Sequence, residues 1–319
     1  RIMALAVLLA GVRAATALPW WAADLDLRDL RGLQAVVEKI GLSLPEAVGI
    51  ALDDFDPETA WQIWTGVQRA LQAASIEDLA ELQPAVRALL QEAKRRPRFA
   101  PHAVWLEARI EYFDEARRVV ATPAPPPRAP APTPPRPAPP PKASAARAAD
   151  PLIWRQRVAL RAKPDGAGRT VPALKSVFRR NGVPEALVWM AEVESSMNSA
   201  ARSPAGAVGL FQLMPATARQ LGVNPDARPD ERLDPLKNAD AASRYLRYLY
   251  RRFRSWPLVL AAYNAGEGRV ARLLRETGAG GYDAIAARLP LETRMYVPRV
   301  LETVRAREGL DPAGLPPPG

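Results

Sequence analysis

Cysteine is absent from this sequence of 319 residues, and histidine occurs once, at His102. The lack of cysteine excludes disulfides, thiolate nucleophiles and thiolate metal sites. A single histidine cannot build a multi-histidine metal site, and a catalytic triad would have to use that one residue. We therefore expect any chemistry to come from carboxylates, hydroxyls, amides or amines, without a metal or other cofactor.

Apolar runs long enough to cross a membrane are also lacking. The apolar run at 1–12 has about a dozen residues, whereas a transmembrane helix needs about 20. Its length is typical of the core of a signal peptide, and Ala15-Thr16-Ala17 matches the small-x-small pattern of a cleavage site. We therefore predict a signal peptide at 1–17, export to the periplasm or cell envelope, and no integral membrane span. The alternative for this run is a buried core helix.

Acidic residues are fewer than basic ones, with 34 Asp and Glu against 44 Lys and Arg, and the net charge is +10. Such a charge is typical of proteins that bind nucleic acid, membrane surfaces or other polyanions. The positive charge can equally reflect a general compositional bias towards arginine that is unrelated to any partner. Because Tyr and Phe are not interleaved with the arginines in a recognisable nucleic-acid-binding module, we expect no nucleic-acid partner.

Proline is abundant, with 34 residues, and 12 of them fall within positions 123–141. This composition favours an extended polyproline II linker and cannot build a core. Elsewhere no segment alternates as a half-buried strand does, and helix-start signals such as Ser75-Ile-Glu-Asp78 recur. The predicted fold is therefore all-α. The predicted boundaries are a helical domain at 24–121, a Pro/Ala-rich linker at 122–149, a second helical domain at 150–308 and a flexible tail at 309–319.

One carboxylate extends an apolar helical stripe. Leu187, Met190, Ala191 and Glu194 are spaced i, i+3, i+4 and i+7, which places them on one helix face. Glu192 falls on another face, where we expect it to be solvated. Burial would raise the pKa of Glu194 and keep the carboxyl protonated near neutrality, as a general acid requires. The alternative is a glutamate at the helix end that a salt bridge neutralises.

Two later segments combine small residues with polar ones. Positions 203–215 form a Gly/Ala-rich loop that enters a helix, and Gln212 within it can hydrogen-bond a sugar. The small side chains of this loop allow the backbone to approach a ligand closely. Positions 262–266 read Ala-Tyr-Asn-Ala-Gly and place Tyr263 and Asn264 at a helix end. Each signal is weak alone, since the second could be a simple C-cap.

Taken together and in order, these pieces resemble the catalytic SLT domain of lytic transglycosylases. The matching pieces are Glu194-Ser195, the Gly-Leu-Phe-Gln run at 209–212, the Ala-Tyr-Asn-Ala-Gly run and Tyr296. The resemblance covers about 165–305, and the Leu-Glu-Thr-Arg-Met-Tyr-Val-Pro ending looks most like the membrane-bound transglycosylase D branch. Phe211 stands where the family usually has methionine. The resemblance implies a fold similar to goose-type lysozyme.

The resemblance also implies the reaction. The substrate would be the glycan strand of peptidoglycan, cleaved at the β-1,4 link between N-acetylmuramic acid and N-acetylglucosamine to give a 1,6-anhydro end. Glu194 would be the single catalytic residue, first as acid and then as base. The residues implied for substrate binding are Ser195, Ser203, Gly209, Gln212, Met214, Tyr263, Asn264 and Tyr296.

Two other functions stay open from the sequence. A muramidase would hydrolyse the same bond with water, and an inactive domain would serve as a peptidoglycan-binding scaffold. For positions 24–121 we expect packing or docking, with an envelope protein as the candidate partner. We further expect the surroundings of Glu194 to be apolar, with Tyr263 and Gln212 close to it, and the substitution Glu192→Gln to be nearly silent.

Overall fold

The structure, a computed structural model, describes residues 64, 66–72, 75–122, 148–278 and 280–319. The predicted signal peptide, positions 24–63 of the first helical domain and most of the proline-rich linker lie outside the described residues. Within those residues the chain is helical, and the β-structure consists of two isolated bridges near Val208. The all-α prediction is confirmed. None of the helices in the described part of the chain is long and apolar enough to cross a membrane.

Residues 66–72 are helical and precede the longer helices. The α-helices are α1 (Ile76–Lys94), α2 (Ala100–Glu107), α3 (Ile110–Ala121), α4 (Pro151–Ala159), α5 (Ala167–Arg180), α6 (Met190–Ser195), α7 (Pro215–Gln220), α8 (Pro235–Phe253), α9 (Trp256–Ala265), α10 (Glu267–Thr277), α11 (Tyr282–Ala286) and α12 (Leu291–Glu308). Short 3₁₀ turns occur at Pro97–Phe99, Glu185–Trp189, Glu231–Leu233 and Pro312–Gly314.

The helix starts follow local sequence signals. Ser75 caps α1 by accepting a hydrogen bond from the backbone of Asp78, whose carboxylate accepts from the backbone of Ser75 in return. Asp234 caps α8 by accepting from the next helical N–H groups, and Pro235 occupies the first turn. These contacts satisfy N–H groups that have no partner within the helix. A short break at Ala108 and Arg109 separates α2 from α3.

Two hydrophobic cores organise the described residues. The first is built by the helical stretch at 66–72, by α1–α3 and by Trp154 of α4, and it includes Trp64, Trp105 and Phe113. The second is built by α5–α12 and includes Phe178, Phe211 and many residues of α8 and α9. The first core also contains Leu291 and Met295, which belong to α12. Helix α12 therefore has one end in each core.

The prediction of a separate N-terminal helical domain is not confirmed. The helices before residue 122 pack directly on the second half of the chain, and Arg299 of α12 donates to the carbonyl of Ala108 at 2.6 Å. The guanidinium of Arg299 also contacts Glu111 of α3, with 3.1 Å between nitrogen and oxygen. Helical periodicity shows that a helix has an apolar face, but it does not show which partner covers that face.

The predicted flexible tail at 309–319 is wrong in this structure. Leu310 and Leu315 pack against the second core. The indole nitrogen of Trp256 donates to the carbonyl of Pro316 at 3.0 Å, and the backbone N–H of Gly319 donates to the carbonyl of Gly182 at 2.8 Å. The proline and glycine content suggested flexibility, but two apolar anchors and these hydrogen bonds attach the segment to the surface.

Candidate active site

A cavity of about 330 Å³ lies between the two cores. Its walls come from residues 66–72, from α2 and its C-terminal end, from the loop at 203–214 and from α6, α8, α9 and α12. Six of the residues predicted for the site line this cavity: Glu194, Ser203, Gln212, Met214, Tyr263 and Asn264. A larger cleft of about 870 Å³, lined by Trp256 and Arg294 among others, contains none of the predicted residues.

Glu194 stands near the end of α6, with 4% of its surface exposed. The hydroxyl of Tyr296 donates to its Oε1 at 2.7 Å. Nη2 of Arg109 donates to its Oε2 at 3.1 Å, and Nη1 of Arg109 donates to the Glu194 carbonyl at 2.9 Å. The expectation of apolar surroundings is therefore wrong, because two donors hold the carboxyl from opposite oxygens.

The electrostatics of Glu194 combine opposing effects. Burial raises its pKa, whereas the charge of Arg109 and the hydrogen bonds from Tyr296 and Arg109 lower it, and the net direction is upward. This is the direction predicted from the helical stripe. A carboxyl with a raised pKa can hold a proton near neutral pH and can still lose it once the reaction requires a base.

Glu292 is a second buried carboxyl in the same cavity, and it was not among the predicted site residues. Burial raises its pKa and the charge of Glu194 raises it further, against the lowering effect of Arg109. Its Oε1 lies 3.6 Å from Nε of Arg109. The residue lies in the Leu-Glu-Thr run that supports the family resemblance, but its position on α12 next to Glu194 depends on tertiary packing.

The loop behind Glu194 is fixed by Ser195 and Gly209. Ser195 is fully buried, and its hydroxyl donates to the carbonyls of Ala191 and Leu210 at 3.0 and 2.9 Å. Gly209 has a φ of +90°, and a Cβ there would lie 2.3 Å from the carbonyl oxygen of Arg232 and 2.4 Å from Nδ2 of Asn238. Neither residue lines the cavity. Both instead fix the conformation of the loop whose other residues form the cavity wall.

Gln212 occupies the left-handed backbone region, with a φ of +47°. Its Nε2 donates to the carbonyls of Ala201 and Gly209 at 3.1 and 2.9 Å. Its Oε1 is buried and has no hydrogen-bond partner among the described residues. Because an unpaired buried acceptor is unfavourable, this oxygen is suited to accept a hydrogen bond from a bound ligand.

The remaining predicted residues have distinct surroundings. The Tyr263 hydroxyl donates to the carbonyl of Phe211 at 2.6 Å, and burial raises its pKa well above the usual value, so the phenol stays protonated. Asn264 Oδ1 accepts from the Thr293 hydroxyl at 2.6 Å. Ser203 is buried and accepts from the backbone of Ala207, whereas 42% of the Met214 surface is exposed. Tyr296 is buried beneath Glu194 and does not line the cavity.

The prediction that Glu192 is solvated is wrong. Its side chain is 1% exposed, and its carboxylate accepts from Arg307 at 2.7 and 2.8 Å and from Arg161 at 3.3 Å. Residues 185–189 form a 3₁₀ turn, and α-helix begins only at Met190. The short α6 is enclosed on several sides, so both Glu192 and Glu194 are buried, although on different faces. The substitution of Glu192 is therefore expected to lower stability, while its predicted near-silence in activity stays a prediction.

Comparison with known protein families identifies the middle of the chain. The family model described as "Transglycosylase SLT domain" matches residues 174–285. "Membrane-bound lytic murein transglycosylase D" of Escherichia coli K12 is 36% identical over 126 residues, which cover 39% of this chain and 28% of that protein. "Soluble lytic murein transglycosylase" of Salmonella typhimurium is 42% identical over 120 residues, covering 35% of this chain and 18% of that protein.

Among solved structures, the 70 kDa soluble lytic transglycosylase of Escherichia coli is similar to this chain with a TM-score of 0.40 and 21% sequence identity. That comparison covers 99% of this chain and 52% of the other. The chain spans less than a third of the length of the two curated relatives named above. The matched segment contains Glu194, Gln212 and Tyr263 but excludes Arg109 and α12. Residues 174–285 therefore match the transglycosylase SLT domain, and the resemblance seen in the sequence is confirmed.

Proposed function

We propose that this protein is a lytic transglycosylase that cleaves the glycan strands of peptidoglycan. The observation that carries the proposal is the carboxyl of Glu194, which is buried at a cavity inside an SLT domain and has a raised pKa. The tyrosine beneath it and the unpaired amide oxygen of Gln212 supply the orienting contacts that a sugar-cleaving site requires.

In the proposed reaction, Glu194 acts as acid and then as base. It gives its proton to the glycosidic oxygen as the bond from C1 of the muramic residue breaks. The resulting carboxylate then takes the proton from the 6-hydroxyl of the same sugar, whose oxygen forms a bond to C1. Bonds and protons balance without water, and the product carries a 1,6-anhydro end. The first proton leaves with the departing sugar, and the proton taken from the 6-hydroxyl leaves Glu194 protonated, as it was at the start.

The substrate-binding residues have separate parts in this proposal. Tyr296 fixes the orientation of the Glu194 carboxyl, and Gln212 offers its free oxygen to an N–H or O–H group of the glycan. Tyr263 and Asn264 form the wall from α9, and Met214 lies at the exposed edge. Ser203 is part of the cavity wall, whereas Ser195 and Gly209 fix the conformation of the loop at 203–214.

Glu292 favours a second candidate function, the hydrolysis of the same bond by a muramidase. Ordinary glycosidases use two carboxyl groups, one as acid and one as nucleophile or base. Glu292 is a second buried carboxyl in the cavity that contains Glu194. In that case Glu292 would assist the attack of water, and the product would carry an ordinary reducing muramic acid.

Mass spectrometry of the fragments released from purified peptidoglycan in ¹⁸O-water distinguishes these functions. A transglycosylase yields 1,6-anhydro ends without ¹⁸O, whereas a muramidase yields reducing ends that contain it. The absence of any fragments with correctly folded protein would support an inactive binding domain. The matched controls are two. Glu194→Gln should release about 10²–10⁴-fold less. Glu276→Gln removes an exposed carboxylate paired with Arg288 and should behave like the wild type.

We also propose that the protein acts in the periplasm or cell envelope after export. The signal peptide expected at 1–17 supports this location, as does the substrate class. N-terminal sequencing of protein isolated from the envelope should find a start near Leu18. Retention of the apolar run would instead indicate that it is an anchor.

A further inference from the structure

Arg109 lies outside the SLT domain yet contacts the proposed catalytic carboxyl. It is 85 positions from Glu194 in sequence and stands between α2 and α3. Its side chain is 9% exposed and lies over the ring of Trp105, with 4.9 Å from the guanidinium carbon to the ring centre. Trp105 of the first core therefore orients the Arg109 guanidinium, which extends from there to Glu194 in the other half of the chain.

Every nitrogen of the Arg109 guanidinium faces an acceptor. Nη1 donates to the carbonyl of Glu194 at 2.9 Å and, over a longer 3.4 Å, to that of Trp105. Nη2 donates to Oε2 of Glu194 at 3.1 Å, and Nε lies 3.6 Å from Oε1 of Glu292. A planar fork with five N–H donors can make these contacts together, whereas a lysine ammonium cannot.

The helices before residue 122 also contact the loop at 201–208. Gln68 lines the cavity, and its side-chain oxygen accepts from the backbone N–H of Ala205 at 2.8 Å. The carbonyl of Pro101, in α2, accepts from the backbone N–H of Arg202 at 3.1 Å. The helices before residue 122 therefore hold the backbone of the loop at 201–208 by two hydrogen bonds, and they also supply Arg109.

We propose that Arg109 is a positioning residue that holds the carboxyl of Glu194 and links it to Glu292, so that α2 and α3 complete the active site. This inference rests on the proposed function and deepens it. It assigns to the helical segment at 75–121 the positioning of the proposed catalytic carboxyl, in place of the docking function expected from the sequence.

The charge balance of the cluster explains the position of Arg109. Two carboxyl groups in one buried cavity repel each other when both are ionised, and a cation between them reduces that repulsion. The pKa of each carboxyl is raised by burial and lowered by Arg109. The other charged or titratable groups facing Glu194 are Tyr296, Arg299 and Tyr263.

The test measures kcat, KM and their pH dependence on peptidoglycan for the full chain and its variants. Arg109→Gln should lower kcat about 10²-fold, because a small misplacement of the catalytic group has that effect. Activity falls with rising pH as the general acid ionises. Removal of the cation raises the pKa of Glu194, so this fall should move to higher pH. Arg109→Lys should restore the wild-type position of the fall but only part of kcat.

The controls separate catalysis from folding. Arg117→Gln changes an exposed arginine of α3 that donates to Gln83, and it should leave kcat and the pH profile unchanged. Thermal unfolding of each variant measures the folded fraction. A loss of activity that follows the folded fraction, with the pH profile unmoved, would overturn the inference, as would wild-type activity in Arg109→Gln.

A second variant decides the matter if Arg109→Gln does not fold. Glu292→Gln removes a negative charge and leaves Arg109 to Glu194 alone, so the pKa of Glu194 should fall and the loss of activity should move to lower pH. An unmoved profile in Glu292→Gln would overturn the link. The two proposals can fail separately. Full activity in Glu194→Gln would refute the proposed function. An inactive Glu194→Gln together with wild-type activity in Arg109→Gln would refute only the inference about Arg109.

Discussion

The segment at 174–285 that matches the SLT domain and the helices at 75–121 border the same cavity. Only the first has sequence motifs that predict its place at the cavity. In the SLT segment, Glu194, Gln212 and Tyr263 each belong to a short sequence motif that resembles the family. The preceding helices carry none, yet Arg109 contacts the same carboxyl that Tyr296 contacts. A wall of the proposed active site can therefore come from a segment that no motif identifies.

The two regions also use buried charge differently. In the first, Arg109 is held by its own core and reaches a carboxyl in the other region. In the second, Glu192 is paired with Arg307 of α12 and with Arg161, away from the cavity. Buried charge alone therefore does not identify a catalytic residue, and the contact with the cavity distinguishes Glu194 from Glu192.

The largest expected effect tests whether the chemistry belongs to the SLT domain. Glu194→Gln keeps the shape of the side chain and removes proton transfer, which contributes about 10²–10⁴-fold in rate. The release of muropeptides should fall by that factor while the thermal unfolding temperature stays within a few degrees of the wild type. Activity above one tenth of the wild type would place the general acid elsewhere.

The next effect tests whether the two regions are one folding unit. Arg299→Leu removes the guanidinium that contacts Glu111 and the carbonyl of Ala108. The loss of one partner of a buried ion pair costs about 3–5 kcal/mol, and we expect about 4 kcal/mol in urea unfolding. Independent unfolding of the regions, with the second one unaffected, would contradict this.

The ion pair between Arg299 and Glu111 should stabilise the fold in a pH-dependent way. Burial would raise the pKa of Glu111, but the charges of Arg299, Arg161 and Arg157 more than offset it, and the pKa is lowered. The pair therefore stabilises the fold above the usual pKa of a glutamate, and the contribution is lost as pH falls through the lowered value. The difference in unfolding free energy between wild type and Arg299→Leu should shrink over that acidic range.

A smaller effect separates the two buried glutamates of α6. Glu192→Gln leaves Arg307 without this carboxylate and Arg161 with Glu111 alone, and it should lower the free energy of unfolding by about 3 kcal/mol. The rate per folded molecule should stay near the wild-type value, because Glu192 does not line the cavity. Loss of turnover in fully folded Glu192→Gln would show that the two faces of α6 are coupled.

The smallest effect concerns the loop that packs against the proposed catalytic helix α6. Ser195→Ala removes the hydroxyl that joins Ala191 to Leu210 and leaves the buried Leu210 carbonyl without this donor. A lost buried hydrogen bond costs about 1–3 kcal/mol, and chemical denaturation measures it. A decrease in kcat without a decrease in stability would instead indicate that Ser195 touches the glycan.

The fold and part of the site were predictable from sequence for local reasons. The Ser75 capping box and the Asp234-Pro235 helix start are contacts within a few residues, so the chain itself specifies them. The burial of Glu194 followed from helical spacing. The same reasoning failed for Glu192, because a six-residue helix enclosed by arginines has no solvated face.

By itself the sequence determined the helical class, the SLT motifs and the identity of the proposed catalytic glutamate, since each depends on residues that are close along the chain. Only the tertiary structure decided that Arg109 and Glu292 meet at Glu194, that α12 joins the two cores and that the last residues pack on the surface. These contacts join residues far apart in sequence. Their energy comes from burial and charge pairing between elements, and no local pattern records which elements will meet.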